Sequence, residues 1–248
     1  MLKSLPTLET ALAHRSIRRF KNEAIPADVL AAIIQAGQMA STSSYMQNVS
    51  IIRVTDIEKR KKIRQICANA YQGKMGHAYV EHCAEFLVFC LDAKRHLQLA
   101  PDAQVDWTEV LLIGAIDTGI LAQNVLLTAE SLGLGGVYIG SLRNDIQGVA
   151  DILSIPQGVV PLFGMCLGYP DQETNQRPRL PANVIVSENT YQAAPEEALK
   201  TYDDVVKTYY KERSNLDLSW SDQIRNNLCT EVRPGILPFL QKQGFAKR

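Results

Sequence analysis

The sequence has no CxxC pair, no GxSxG turn and no excess of either charge, its 26 Lys and Arg balancing 26 Asp and Glu. A net charge of zero lacks the basic footprint of nucleic-acid binding, so no nucleic-acid partner is expected. Its 5 cysteines, Cys67, Cys83, Cys90, Cys166 and Cys229, are odd in number, which fits a reducing compartment better than a disulfide framework. Cys90 and Cys166 sit inside apolar runs, where a thiol behaves as a small hydrophobe. No serine or cysteine has a histidine partner in sequence, so hydrolase chemistry finds no support, although a spatial triad is not legible at this level. His77, Glu81, His82 and Cys83 do not have the spacing of a metal site, because the two histidines do not fall on one helical face, and no metal is expected. The first residues, Met-Leu-Lys-Ser-Leu-Pro, carry no apolar stretch of the signal-peptide kind, and the expected address is cytoplasmic.

What is present is ordinary for a globular chain: 248 residues, 46% hydrophobic and 21% charged. Helical periodicity covers 7–14 and 27–40, the second starting after Pro26. The β-branched run 49–54 predicts a strand, and Thr55 with Glu58 has capping-box spacing for a helix after it. In that helix Lys59, Arg60, Lys61, Lys62 and Arg64 read as a solvated face rather than a phosphate patch. The run 85–91 is apolar without alternation, as in a central strand buried on both faces, and 134–140 and 161–168 read the same way. A short helix is expected between Arg143 and Leu153, with Asn144 and Gln147 placed to cap it. The segment 111–132 is apolar around most of its circumference, yet Asp117, Gln123, Asn124 and Glu130 interrupt it. A charge near a bilayer centre costs on the order of 2.5–3.5 kcal/mol, so a helix buried in a core or at a subunit interface is expected, and no membrane partner. Beyond 169 the chain turns polar. It gives a strand-like 184–187 and two polar helices at about 196–213 and 219–231, with too little apolar surface to fold alone.

Two groups of residues point toward a ligand. Gly133-Leu-Gly-Gly-Val-Tyr-Ile-Gly140 fails as a dinucleotide fingerprint, because Tyr138 stands where the last glycine belongs and the segment leaves a helix to enter a strand. Its glycines instead suit a helix end and a close backbone approach to a flat ligand. His14-Arg15-Ser16-Ile17-Arg18, Ser41-Thr42-Ser43-Ser44 and Arg177-Pro178-Arg179 together offer cationic forks and hydroxyl donors, which suit a phosphate monoester. Taken singly, each also reads as a basic helix end, a polar loop or a rigid turn.

At these residues the sequence resembles the nitroreductase superfamily, in the branch of oxygen-insensitive NADPH nitroreductases and NADPH–flavin oxidoreductases. HRSIRRF (14–20), EFLVFC (85–90), AESLGLGGVYIGSLRN (129–144), LFGMCLGYPDQ (162–172) and RPRLPA (177–182) carry the resemblance, which runs nearly end to end. It implies an α+β fold with a mixed, mainly antiparallel sheet flanked by helices. It also implies an intertwined homodimer with FMN at the interface, and one domain over 1–248 whose 169–248 excursion packs on the body and on the partner subunit. The implied activity is ping-pong hydride transfer from NADPH, with NADH as a possible donor, to tightly bound FMN. Electrons then pass in pairs to nitroaromatics, quinones or free flavin. Alternatives are a flavin reductase serving a partner monooxygenase, and a non-enzymatic module for FMN or another phosphate ligand.

The resemblance assigns residues one by one. His14, Arg15 and Ser16 match the segment at the FMN phosphate, and Arg18 a basic residue beside the flavin pyrimidine edge, where it tunes the ring. Thr42, Ser43 and Ser44 match a hydroxyl loop, with Thr42 where serine is usual. Tyr138, Ile139, Gly140 and Ser141 match the strip along the isoalloxazine, Ser141 replacing a usual glycine. Arg177 and Arg179 match a phosphate-binding Lys-Pro-Arg motif, Arg177 keeping the charge with a different geometry. His77 occupies the position of a ring-contacting glutamine, and a histidine there titrates. Arg213 matches an arginine at the NADPH 2′-phosphate, while nearby Asp217 would oppose that phosphate. No side chain is assigned as catalytic, since the flavin carries the chemistry.

Overall fold

The computed structural model describes residues 5–68 and 76–248. It divides into two compact units, one of residues up to 173 together with 233–248, the other of residues 174–232.

The first unit is built on a four-stranded sheet in the order β1 (Val49–Arg53), β2 (Glu85–Asp92), β4 (Val159–Gly168), β3 (Gly135–Ile139), every neighbour antiparallel. Its parallel component is an isolated bridge between Ser16 and Gly136. All of β2 is buried, as its unbroken apolar run requires. Alternation along the strand sends Phe86, Val88 and Cys90 into one core cluster and Leu87 and Phe89 into another. Each such burial contributes on the order of 1.5–3 kcal/mol.

The helices of this unit are α1 (Pro6–Leu12), α2 (Ala27–Gln38), α3 (Ile57–Ala68), α4 (Tyr79–His82), α5 (Lys94–Leu99), α6 (Thr108–Ser131), α7 (Ile146–Ile152) and, after the second unit, the chain's last helix. On one face Ile63, Ile66 and Cys67 of α3 pack with Phe86, Val88 and Cys166. On the other, Leu30 and Ile33 of α2 and Ala122, Val125 and Leu126 of α6 pack with Leu87, Phe89 and Met165. The second unit holds α8 (Ala182–Ile185), α9 (Glu196–Ser214) and α10 (Trp220–Leu228), and Ile236–Gln243 is α11.

Four local expectations change. Residues 184–187 do not form a strand: Ala182–Ile185 is a short helix entered from Pro181, whose fixed φ suits a helix start. Asp56, not Thr55, begins α3, its Oδ1 accepting from the backbone N–H of Glu58 and of Lys59. Asp145, not Asn144 or Gln147, caps α7 by accepting from Gly148 N at 2.9 Å. Asn144 is used elsewhere, donating to the carbonyls of Ile66 and Cys67 and accepting from Arg233 Nε.

The basic run on α3 is also not all solvated. Arg60 is buried and donates to the carbonyls of Val54, Cys83 and Ala84 at 2.6, 2.7 and 3.3 Å. Arg64 pairs with Glu81 at 2.8 Å. Lys61 and Lys62 are exposed, as a polar face demands.

By length and composition α6 could cross a membrane. In the fold its polar residues meet protein partners, which fixes its inner face. Asp117 accepts from Thr42 and Ser43, Gln123 from Tyr138 Oη, Asn124 donates to Ala36 O, and Glu130 meets His14.

Candidate functional site

Candidate residues separated by more than a hundred positions meet along β3. Ile17 N donates to Gly136 O at 3.0 Å, and with the Ser16–Gly136 bridge this lays segment 14–18 beside the strand. Further on, Lys21 N donates to Tyr169 O and Asp171 N to Arg19 O, so the segment continues along the end of β4. His14 Nδ1 lies 2.6 Å from Glu130 Oε1 at the end of α6. The close approach needs small residues. A Cβ on Gly136 would lie 2.7 Å from Leu126, 2.8 Å from Leu167 and 3.0 Å from the Cys166 carbonyl, and one on Gly135 would lie 2.5 Å from Ile17. Those two glycines therefore serve strand packing against protein neighbours. Gly133, at φ 80°, ends α6 in the left-handed conformation that its position after a helix predicts.

Arg15 and Arg18 are exposed and form no ion pair among the described residues, whereas Arg19 is paired with Asp171. The Arg15 side chain donates to the Ala13 carbonyl, at 3.2 Å. Cations left without carboxylate partners on one short segment suit an anionic ligand. Arg18 also lies near His77 and Tyr79. Burial first, then Arg18 and Arg64, push the His77 imidazole below its usual range, and burial raises the Tyr79 phenol to about 12. His77 adopts φ 61°, and its Nε2 lies 3.1 Å from Ser141 Oγ, in the turn that follows β3. Thus Ser16, Arg18, His77 and the strip 138–141 converge, while Tyr138 is partly exposed and its phenol is raised by burial and by Glu130.

The hydroxyl loop is held from below. Asp117, only 2% exposed, accepts from Thr42 Oγ1 at 2.8 Å, from Ser43 N at 3.0 Å and from Ser43 Oγ at 3.0 Å. Thr42 Oγ1 in turn accepts from Gln47 N. Ser44, Tyr45 and Gln47 all have positive φ, a conformation that non-glycine residues hold only where neighbours enforce it. The protons of the Thr42 and Ser43 hydroxyls are therefore spent within the protein, whereas Ser44 is exposed. Asp117 and Glu130 were visible in sequence only as interruptions of an apolar helix. Their roles as anchors of the loop and of His14 were not.

In the second unit Arg177 and Arg179 are exposed. Arg177 stacks over Tyr210 at 5.8 Å, and Arg179 donates to the Arg177 and Pro178 carbonyls, which fixes a compact basic turn. Arg213 donates to Tyr209 Oη at 3.0 Å and lies over its ring. Asp217 pairs with Lys207 at 3.1 Å, so its charge is partly compensated within the unit. Among the described residues no cluster of His, Cys, Asp and Glu could hold a metal ion.

A flavin implied by such a site fits what is present in the first unit: a backbone strip, unpaired cations and a half-buried imidazole, all on one stretch of surface. Comparison with known proteins agrees. Residues 11–169 match the Nitroreductase family, and residues 177–248 match the Nitroreductase family, C-terminal domain. The chain is 52% identical over 244 residues to NADPH-flavin oxidoreductase of Vibrio harveyi, covering 98% of this chain and 99% of that one. It is 46% identical over 245 residues to oxygen-insensitive NADPH nitroreductase of Salmonella typhimurium, covering 98% and 99%. Among solved structures, NADPH:FMN oxidoreductase from Vibrio harveyi complexed with NAD+ superposes with a TM-score of 0.90 at 50% identity, covering 98% and 100%. A fold, a convergent set of candidate residues and full-length likeness lead to one assignment: the chain belongs to the nitroreductase family.

Proposed function

We propose that this protein is an NADPH-dependent flavin oxidoreductase that binds FMN tightly and without a covalent bond, and reduces nitroaromatics, quinones or free flavin two electrons at a time. The observation that carries the reading is the docking of segment 14–18 against β3, which sets Arg18, His77 and Ser141 around one strip in a chain so similar to NADPH-using relatives. FMN, when bound, supplies the hydride-accepting ring, and donor and acceptor use it in turn. The protein's own part is position and charge. Arg15, Ser16, Arg177 and Arg179 serve the phosphate, while His14 is steadied by Glu130 and Thr42, Ser43 and Ser44 form a hydroxyl wall. Arg18 lends positive charge at the ring edge, where electron density accumulates. Tyr138, Ile139 and Gly140 line the ring with backbone. Arg213 takes the 2′-phosphate of NADPH, and the Lys207 pairing of Asp217 lessens the repulsion that Asp217 offers there.

The homodimer belongs to the same proposal. Leu112, Ile116 and Ile120 recur at helical spacing on α6 and are 51%, 57% and 42% exposed, an apolar stripe on the outer face of the helix. A second copy of the chain covers it, and the 169–248 segment embraces that copy in a soluble, cytoplasmic enzyme.

Arg179→Ala is expected to weaken FMN binding roughly ten- to a hundredfold, the loss of one charge-assisted hydrogen bond worth on the order of 1.5–3 kcal/mol. Titration of apoprotein with FMN, followed by flavin fluorescence, measures it, and unchanged affinity removes Arg179 from the phosphate site. Turnover with free FMN against turnover with nitrofurazone and with quinones separates a flavin reductase for a partner monooxygenase from a nitro or quinone reductase.

A further inference from the structure

His14 and Glu130 join segment 14–18 to the end of α6, with Nδ1 2.6 Å from Oε1 and the two side chains 28% and 11% exposed. The second carboxylate oxygen, Oε2, is buried without a hydrogen-bond partner, and His14 is the one basic side chain paired with Glu130 among the described residues. The second imidazole nitrogen, Nε2, has no protein partner among the described residues, and next to it in sequence Arg15 is exposed. Three other charged or titratable groups are close in the fold. Glu9 on α1 has its carbonyl bonded to Ala13 N, Arg15 donates back to the Ala13 carbonyl, and Tyr138 on β3 has its phenol raised by burial and then by Glu130. Arg18 lies instead by His77 and Tyr79.

Counting protons decides what this pair does when an anion arrives at Nε2. An ionised carboxylate only accepts hydrogen bonds, and so do the oxygens of a phosphate dianion. A neutral imidazole has a single N–H and satisfies one of two such acceptors. With Glu130 alone beside it, one proton, between Nδ1 and Oε1, is enough. With a phosphate oxygen at Nε2 as well, a second proton is required. The count is the same whether Nδ1 or Oε1 holds the inner proton, so it depends on no choice of tautomer.

We propose that Glu130 is a positioning residue which couples FMN binding to the uptake of one proton, held by the His14–Glu130 pair between the carboxylate and the flavin phosphate. The inference rests on the FMN reading. The proton comes from solvent, no bond between heavy atoms forms or breaks, and no electrons move. The added charge completes an ion pair for the largely buried Glu130 as Nε2–H meets the phosphate, so each contact strengthens the other. Because the complex holds more protons than its parts, FMN affinity falls as pH rises, by about tenfold per unit where the coupling is complete. At acid pH, where an imidazole already holds the proton, the uptake disappears.

Calorimetric titration of the apoprotein with FMN, in two buffers of different ionisation enthalpy, counts the protons. At about pH 8.5 a phosphate monoester is a dianion and an ordinary histidine is neutral. Wild type is expected to take up close to one proton there and much less at about pH 6, and riboflavin, which lacks the phosphate, is expected to bring none. Glu130→Gln is the discriminating change. Its amide donates to Nδ1, so a neutral imidazole with its proton on Nε2 serves the phosphate. FMN then binds without uptake, and its affinity no longer falls with pH. A merely structural role for Glu130 would weaken FMN binding at every pH and leave the proton count as in wild type. His14→Gln, which also loses the uptake, decides the matter if Glu130→Gln does not fold. FMN binding without uptake in wild type at about pH 8.5, or an uptake unchanged in either variant, overturns this inference alone. An apoprotein that takes up no FMN overturns the FMN reading, and this inference with it.

Discussion

Asp117→Ala is expected to destabilise the protein by about 3 kcal/mol and to weaken FMN binding on the order of tenfold, the largest loss from any single change in the site's scaffold. The carboxylate is buried and accepts from two hydroxyls and a backbone N–H. Alanine leaves those donors without their acceptor, and a buried unpaired polar group costs about 1–3 kcal/mol. The loss also falls on a loop with three positive-φ side-chain-bearing residues, Ser44, Tyr45 and Gln47, whose conformation the anchor helps to enforce. Asp117→Asn keeps one acceptor oxygen and should lose about half as much. Urea unfolding of the apoprotein gives the stability, and FMN titration the affinity. Wild-type values of both in Asp117→Ala would show that the loop is held by something else.

Arg60→Met should be comparably damaging, about 3 kcal/mol, while leaving FMN affinity nearly untouched. Its guanidinium closes the gap between the end of β1 and the approach to β2, where it satisfies the carbonyls of Val54, Cys83 and Ala84. Methionine fills similar space but returns no donor, so the buried carbonyls are left unpaired. The expected signature is a lower urea midpoint with an unchanged slope. A variant as stable as wild type would mean that those carbonyls find other partners at little cost.

These two residues also show how far the sequence can be read. The central strand was legible because burial on both faces leaves an unbroken apolar run, and 85–91 became β2 almost residue for residue. Arg60 was not, because a buried arginine amid surface lysines has the same charge pattern as a solvated face. Its role depends on carbonyls 6, 23 and 24 residues away. The polar breaks in the 111–132 helix were visible, and they argued against a membrane span. Their partners were not visible, since Asp117 reaches 74 and 75 residues back and Glu130 reaches 116. Capping at α3 and α7 failed by single positions, where Asp competed with neighbouring Thr and Asn for the same backbone donors. The strand expected at 184–187 had β-branched residues, but among the described residues of its unit there is no strand, and a helix entered from Pro181 formed instead. The site itself came from resemblance. Periodicity cannot bring segment 14–18 to β3; the family likeness implied one site for that segment and residues 138–141, and the fold bridges Ser16 to Gly136 in the same strand.

The central claim, a flavin site reduced by NADPH, is tested most directly by the absorbance of the purified protein, reconstituted with FMN, under anaerobic titration with NADPH and, in parallel, with NADH. A yellow protein whose flavin band bleaches on NADPH, more slowly on NADH, and recovers when a quinone or nitroaromatic is added is the predicted result. A protein that stays colourless after incubation with FMN, or whose bound flavin neither nucleotide bleaches, would contradict it.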